Sequence, residues 1–185
     1  MFKTLPAATL PLLAGLLWAA DTGATTFNTA DVESHGHWHT LTLSLGEERH
    51  FRAMEGYSYS DSLLSFNVTA GVCDLPWLEL RVELDEHQPE SRAVNRVPVD
   101  LRVDHETIHG GTAEFVTERG DSGFYVHFYL PEQSLLIEEM RRGETLLLRL
   151  MRGEDDPWFM TFSLEGADEA IAGAERRCRE TRPAE

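Results

Sequence analysis

The chain has 185 residues, of which 32 are acidic and 16 are basic, so its formal net charge at pH 7 is −16. A surface this acidic repels nucleic acid and anionic lipid, and it favours cationic partners or a salty environment. The length is sufficient for one compact domain with a core of its own.

The first 24 residues are predicted to be a secretory signal peptide. Lys3 precedes an apolar run from Leu10 to Ala20, and small residues suited to cleavage follow. Because the run is too short to cross a bilayer and no second run follows, we expect no membrane span in the mature chain. The predicted organisation is a signal peptide (1–24), a flexible N-terminal segment (25–34), a single β-rich domain (35–180) and a tail (181–185).

Most of the domain alternates between apolar and polar residues, a pattern that is typical of half-buried antiparallel strands. The segment WHTLTLSL (38–45) places Leu41, Leu43 and Leu45 on one face, which is therefore the face expected to be buried. Further strands are predicted from the same alternation or from β-rich composition between turn residues. They are HFRAM (50–54), LLSFNVT (63–69), WLELRVEL (77–84), VPVDLRV (97–103), TAEFVT (112–117), GFYVHFYL (123–130), TLLLRLM (145–151) and WFMTFSL (158–164).

Two segments change to a helical pattern. PEQSLLIEEMRRG (131–143) begins with a proline and acids and ends with arginines and a glycine, and ADEAIAGAERRCR (167–179) has the same charge order. Acids early and cations late complement the helix dipole, which makes both segments good candidates for short helices. The predicted fold class is mainly β, an antiparallel β-sandwich or open barrel with two short helices, the last one C-terminal.

The two cysteines, Cys73 and Cys178, are predicted to form one disulfide, because two cysteines in an exported chain usually pair. Closing so long a loop is worth about 4–5 kcal/mol in the chain-entropy description. The bridge would tie the C-terminal helix to the middle of the domain.

The stretch RVDHETIHGG (102–111) contains the zinc-protease spacing His105-Glu106-x-x-His109. That chemistry requires a helix, which would place both imidazoles on one face with the glutamate as general base. Alternating residues and Pro98 precede the motif, β-branched residues fill it, and two glycines follow it directly. We therefore expect a strand ending near Asp104, a turn and a return strand, and no zinc-dependent hydrolysis.

A second candidate metal site lies in SHGHWHT (34–40). In an extended strand, His35, His37 and His39 would project from one face and could chelate zinc, copper or nickel, with His50 or His105 as a further ligand. The alternative is that the three imidazoles decorate the solvent end of a structural strand.

Other chemistry is sparse in the sequence. It contains no G-x-S-x-G nucleophile elbow, phosphate-binding loop or dinucleotide-binding glycine pattern, so we predict no enzymatic activity and no cofactor. Exposed aromatic residues could instead form a binding face. The candidates are Tyr57, Tyr59, Trp77, Phe124, Tyr125, Phe128 and Tyr129.

The C-terminal part of the chain resembles the C-terminal domain of type VI secretion-associated periplasmic proteins of the TagO/VasI kind. In that pattern a strand ends in Arg-x-Asp, a late F-x-L-x-G leads into a helix, and a terminal cysteine follows. The matching residues are Arg102, Asp104, Phe162, Leu164, Gly166 and Cys178. The chain is also similar to the invasion-associated locus B group, in that both end on a glycine-led amphipathic helix.

These resemblances imply a noncatalytic accessory protein of the bacterial envelope, periplasmic or secreted, with a β-sandwich core and an envelope or secretion-system protein as partner. Two alternatives stay open from the residues themselves. One is a periplasmic metal-binding protein that uses His35, His37 and His39, and the other is a hydrolase.

Overall fold

The computed structural model describes residues 26–181, which form one antiparallel sheet and two helices. The strands are β1 (Asn28–His35), β2 (Trp38–Leu45), β3 (Glu48–Glu55), β4 (Ser62–Thr69), β5 (Trp77–Glu83), β6 (Arg92–Val103), β7 (His109–Thr117), β8 (Gly123–Tyr129), β9 (Thr145–Met151) and β10 (Pro157–Ser163). The helices are α1 (Gln133–Met140) and α2 (Ala167–Glu180).

The ten strands form a single open sheet in the order β1-β2-β3-β4-β5-β8-β7-β6-β9-β10. The first five strands follow one another as hairpins, whereas β6 lies between β7 and β9, and β5 pairs with β8. Strands β1 and β10 are therefore the two edges. The predicted fold class is confirmed, with the architecture being an open sheet of antiparallel strands.

One face of this sheet, here called the inner face, carries a continuous apolar core. Every second residue of β3 to β10 points into it, and the fully buried side chains include Phe66, Leu80, Leu101 and Phe162. Helix α2 covers β2, β3 and β4 on this face, and α1 contacts β6. Burial of these side chains supplies the main driving force for folding, at about 25 cal/mol for each Å² of apolar surface.

The two edges of the sheet approach each other, although they do not pair as strands. The Trp38 indole N–H donates to the carbonyl oxygen of Ser163 at 2.8 Å, and the His37 amide donates to the carbonyl oxygen of Glu165 at 3.0 Å. The free amide of Thr161 on β10 donates to the Tyr59 hydroxyl at 2.9 Å. These bonds satisfy some of the backbone hydrogen-bonding groups on the open edge of β10. Without such partners, these groups could pair with a strand of another chain.

The structure contains a strand that the sequence did not predict. Strand β1 covers most of the segment 25–34, which was expected to be flexible, and pairs with β2 from Asn28↔Ser44 to His35↔Trp38. All but one of its residues are exposed and mostly polar, so no apolar alternation marks it. Its order comes from pairing with β2 and from Arg177 of α2, whose guanidinium donates to the carbonyl oxygen of Asp31 at 2.7 Å.

In β2 the residues that face the core are not the predicted leucines, although Leu41 is buried as expected. Trp38 and Thr40 face α2, and the Thr40 hydroxyl donates to the carbonyl oxygen of Ala170 at 3.0 Å. Leu41 and Leu43 pair with Arg52 and His50, so they lie on the outer face. Gly173 of α2 packs closely against Thr40, since a Cβ on this glycine would lie only 3.0 Å from the Thr40 hydroxyl oxygen.

Candidate binding cleft on the outer face of the sheet

The predicted disulfide is present. Cys73, in the loop after β4, and Cys178, in the last turn of α2, are joined by an S–S bond with 5.8 Å between their Cα atoms. The bridge fastens the end of α2 to the middle of the sheet, as the sequence indicated.

The three N-terminal histidines do not share a strand. A turn at Gly36 and His37 separates β1 from β2, so the expected extended strand through His35, His37 and His39 is wrong. His39 hydrogen-bonds Ser34 through Nδ1 at 3.1 Å, and His37 stacks on the Tyr57 ring at 3.6 Å. Because each ring meets different neighbours, the geometry does not assemble the proposed ligand set.

His37 also takes part in the contact between the two sheet edges. Its Nδ1 lies 2.7 Å from the Ser163 hydroxyl, and its Nε2 lies 3.5 Å from a carboxylate oxygen of Glu165. The Glu165 side chain is 69% exposed, so water competes for this contact. The arrangement holds the β1–β2 turn against the connection between β10 and α2.

The His105-Glu106-x-x-His109 stretch forms a turn and a strand start, as predicted, and not a helix. His105 and Glu106 are exposed in the turn after β6, whereas His109 opens β7. The His109 ring is buried, and its Nε2 lies 2.8 Å from a carboxylate oxygen of Glu139 on α1. Among residues 26–181, no group of three or more His, Cys, Asp or Glu side chains is placed to hold a metal ion.

A concave feature lies on the outer face of the sheet, opposite the core. It is an open cleft of about 820 Å³, here called the outer-face cleft, whose floor is formed by outward side chains of β3, β5 and β8. Residues of the segments 87–91 and 118–122 form its walls. No sequence motif marks this site as a whole.

A hydrogen-bonded row crosses the floor of the cleft. Arg52 donates to Glu79 at 3.0 Å and to the Asn67 amide oxygen at 2.6 Å. The other carboxylate oxygen of Glu79 lies 3.3 Å from His127 Nε2. The Glu79 side chain is only 9% exposed, so its charge requires these partners. The hydrogen bond to Glu79 raises the pKa of His127 above its usual range, although burial opposes this shift.

A second set of polar contacts closes one end of the cleft. Arg81 donates to Asp121 at 2.6 Å and to Glu83 at 3.0 Å, and the Tyr125 hydroxyl donates to Asp121 at 2.7 Å. Burial and the bond to Asp121 raise the pKa of Tyr125 to about 12. Burial alone would raise the pKa of Asp121, but hydrogen bonds from Tyr125 and Arg81 hold it below its usual range.

The opposite end of the cleft is apolar and aromatic. The rings of Phe27 and Trp77 meet the His50 ring edge-on at centroid distances of 5.4 Å and 5.8 Å. His50 is itself held by Thr69 at 2.8 Å, and Leu43 lines the same end. The leucine face of β2 that was expected in the core therefore contributes to the wall of the cleft.

Two basic residues on the cleft walls, Arg119 and His87, form no ion pair among residues 26–181, and neither does the neighbouring acid Glu118, whose carboxylate accepts from the Ser91 hydroxyl. The guanidinium of Arg119 and the ring of His87 are exposed, and neither takes part in a side-chain hydrogen bond or an ion pair within that range. Both lie on the loops that border the polar end. They contrast with Arg52 and Arg81, whose charges are balanced by acids of the floor.

The aromatic binding face expected from the sequence is found only in part. Trp77 and Tyr125 line the cleft, whereas Phe128 lies in the core and Phe124 packs against it. Tyr57, Tyr59 and Tyr129 are not among the residues that line the cleft. The charged floor residues were present in the sequence as the polar positions of WLELRVEL and GFYVHFYL, but only the pairing of β5 with β8 brings them together.

Comparisons with known proteins support the fold, but they do not assign a family or a specific function. No protein-family model matches the chain, and no curated protein matches it. None of the helices among residues 26–181 is long and apolar enough to cross a membrane. The resemblance to the type VI secretion-associated proteins stays a hypothesis. The chain is similar in fold to a solved structure, invasion associated protein B from Bartonella henselae, with 15% identity, a TM-score of 0.53, and coverage of 82% of this chain and 100% of that chain.

Proposed function

We propose that this protein is an exported, noncatalytic accessory protein of the bacterial envelope that binds its partner in the outer-face cleft. The observation that carries the proposal is the cleft itself. Its floor holds a nearly buried carboxylate, Glu79, in a complete set of charged contacts, and one end exposes aromatic rings. A concave surface with a few fixed polar groups and an apolar end is typical of binding sites.

The state of the ionisable groups favours binding over catalysis. Glu79 is shared between Arg52 and His127, and Asp121 between Arg81 and Tyr125. A general base works best when its pKa lies near the working pH, whereas Asp121 is held below even its usual range. These carboxylates serve to orient the arginines of the floor.

Export is supported by the disulfide, because such bonds persist in oxidising compartments such as the periplasm. More specifically, we propose that the partner is a protein of a secretion system. For the two alternatives, metal binding and hydrolysis, no specific observation adds support, since His35, His37 and His39 meet separate neighbours.

The test is site-specific photocrosslinking in cells that export the protein. A photoreactive phenylalanine analogue is placed at Val116 or Ser122 in the cleft. As controls it is placed at two exposed positions outside the cleft, Arg142 in the turn after α1 and Arg176 on α2. We expect a discrete adduct with an envelope protein from the cleft positions alone. Equal adducts from the control positions, or no adduct from any position, would contradict the proposal.

A further inference from the structure

The two edge strands of the sheet are protected to different degrees. Strand β1 carries charged residues, has a bulge between Ala30 and Glu33, and is held by Arg177 of α2. Charges and bulges of this kind keep an edge from pairing with other chains. Strand β10, whose sequence is PWFMTFS, has no charged residue and pairs with β9 without a bulge, and its Phe159 is 56% exposed. It is therefore the edge that is open to another strand.

The backbone of β10 shows which groups are available at this edge. Alternate residues of an antiparallel strand direct both their amide and their carbonyl away from the neighbouring strand. Thr161 is such a residue, because its amide donates to Tyr59 in the loop after β3 and not to β9. Pro157 and Phe159 have the same parity as Thr161. The Phe159 amide and the carbonyls of Pro157, Phe159 and Thr161 have no hydrogen-bond partner among residues 26–181.

Apolar side chains flank these backbone groups on both faces of the sheet. On the outer face, the exposed Phe159 lies diagonally across from Leu147 and Met151 of β9, which are half-buried. Arg149, directly opposite Phe159, is paired with an acid of β6. On the inner face, Trp158 is half-buried at the margin of the core. A strand added at this edge would direct alternate side chains to these two faces, so both sets would meet apolar surface.

The turn before β10 adds negative charge at one end of this edge. It comprises residues 152–156, all exposed, and contains one arginine and three acids. Arg152 pairs with Asp156 at 3.0 Å, whereas the other two acids, Glu154 and Asp155, form no ion pair among residues 26–181. A basic residue of a partner segment would therefore meet opposite charge at this end.

We propose that the open edge of β10, from Pro157 to Thr161, binds an extended apolar segment of another protein, which adds to the sheet as a further strand and places a basic residue beside the 152–156 turn. The unpaired backbone groups identify the ligand as a polypeptide, because a strand supplies amides and carbonyls at the spacing of the ladder. The site ends at Thr161, because the loop after β3 covers the edge beyond it. No residue that lines the outer-face cleft belongs to β10, so the inference goes beyond the proposed function and does not depend on it.

A second copy of the chain fits this edge less well than a segment of another protein. Pairing two copies of β10 would bring together two molecules that each carry a net charge of −16. In a two-fold pair centred on Phe159, Pro157 of one copy would lie opposite Thr161 of the other. Proline has no amide hydrogen to donate, and the Thr161 amide is already bonded to Tyr59. Only the two Phe159 residues could then exchange hydrogen bonds.

The experiment is a titration of the full mature protein with the blocked peptide acetyl-Val-Thr-Val-Tyr-Val-Arg-Arg-amide, followed by NMR and hydrogen exchange of the Phe159 amide. In an antiparallel pair the arginines of this peptide lie beside the 152–156 turn. We expect the Phe159 amide to exchange rapidly in the unbound protein and to become protected on saturable binding. A peptide with both arginines replaced by glutamine should bind about two- to fivefold more weakly. No binding, or binding without protection of this amide, would overturn the inference.

Methylation of alternate peptide amides distinguishes strand addition from simple apolar contact. In an added strand, every second amide faces β10 and the others face away from it. One peptide therefore carries N-methyl groups on its three valines, and the other carries them on its threonine and tyrosine. We expect one of the two peptides to lose binding and the other to retain it. Equal affinities of the two methylated peptides would show that backbone pairing does not occur and would contradict the proposal.

Phe159→Lys tests the edge from the side of the protein, because a lysine on an edge strand opposes pairing with another strand. Phe159 is exposed, so the fold should persist, and peptide binding should weaken about tenfold. Leu135→Lys makes the same kind of change on an exposed part of α1 and should leave the affinity unchanged. An equal loss in both variants would indicate a general charge effect and contradict the site. Sedimentation of the wild type should show a monomer, and a dimer that Phe159→Lys abolishes would assign the edge to a second copy and overturn the inference.

Discussion

On the outer face of the sheet, charged side chains are stabilised by side chains of opposite charge on the neighbouring strands. His127 on β8 lies directly opposite Glu79 on β5 and Glu114 on β7, so it has a carboxylate on each side. Opposite charges on neighbouring strands stabilise each other, and partial burial strengthens the effect. The result is a histidine whose pKa is raised above its usual value.

Glu79→Gln should lower the pKa of His127 towards its ordinary value of 6.5, because the hydrogen bond to Glu79 is the largest cause of the shift. A raised pKa means that the protonated ring stabilises the folded state below the unfolded-state pKa, and that this contribution is lost as the pH rises through the folded-state pKa. The difference in free energy of unfolding between wild type and variant should therefore shrink as the pH rises from about 6 to 8.

NMR titration of His127 and urea unfolding at several pH values would measure these effects. Glu138→Gln, on the exposed side of α1, serves as the control and should leave the pKa of His127 unchanged. A His127 pKa that stays the same in Glu79→Gln would show that the ion pair does not form in solution.

At the scale of elements, the start of α2 is the point where the two edges of the sheet meet. Gly166 caps the helix with a φ of +88°, a conformation that side chains with a Cβ rarely adopt. A Cβ at this position would collide with the carbonyl oxygen of His35. Glycine is therefore required at position 166 for two reasons. Its backbone has a positive φ, and the β1–β2 turn packs against it.

Gly166→Ala should destabilise the protein by more than the conformational cost of about 1–2 kcal/mol, because the collision adds to that cost. Gly46→Ala is a matched control, since Gly46 also has a positive φ of +58° but no atom near a new Cβ. Urea denaturation would give both values. If the two variants lose the same free energy of unfolding, the contact between the turn and the helix start contributes nothing.

The disulfide acts on the other end of α2. Replacing both cysteines, with Cys73→Ser and Cys178→Ser together, should reduce the free energy of unfolding by about 2–5 kcal/mol. The helix should remain in place through Ala170, Ile171 and Ala174, which are buried against the sheet. Calorimetry with and without a reductant checks this, since the reductant should lower the melting temperature of the wild type but not of the variant. A variant that melts at the same temperature as the wild type without reductant would contradict the prediction.

For the whole molecule, a net charge of −16 implies self-repulsion that salt can screen. Raising NaCl from about 0.01 to 0.5 M shortens the screening length from about 30 Å to a few ångström. We expect the melting temperature to rise over this range. The paired charges of the floor are partly buried and should be affected less than the exposed acids. A melting temperature that falls with salt would mean that surface ion pairs outweigh the repulsion.

Much of the local structure could be predicted because it depends on neighbouring residues. The alternation in WLELRVEL and VPVDLRV corresponds to β5 and β6, and the early acids and late arginines of 167–179 mark α2. Strand β1 escaped prediction because its exposed residues carry no pattern, and its order comes from pairing with β2 and from contacts with Arg177 of α2. The histidines were placed on one strand because a glycine turn within SHGHWHT was not anticipated.

The sequence by itself determined nine of the ten strand segments among residues 26–181, both helix segments, the pairing of Cys73 with Cys178 and the acidic surface, because periodicity, cysteine count and charge are properties of the chain alone. Tertiary structure decided which strands are neighbours and which face of β2 is buried. Those choices depend on long-range contacts, such as α2 against Thr40 and β5 against β8. The outer-face cleft exists only through them, since it joins Arg52, Glu79 and His127 from three separate strands.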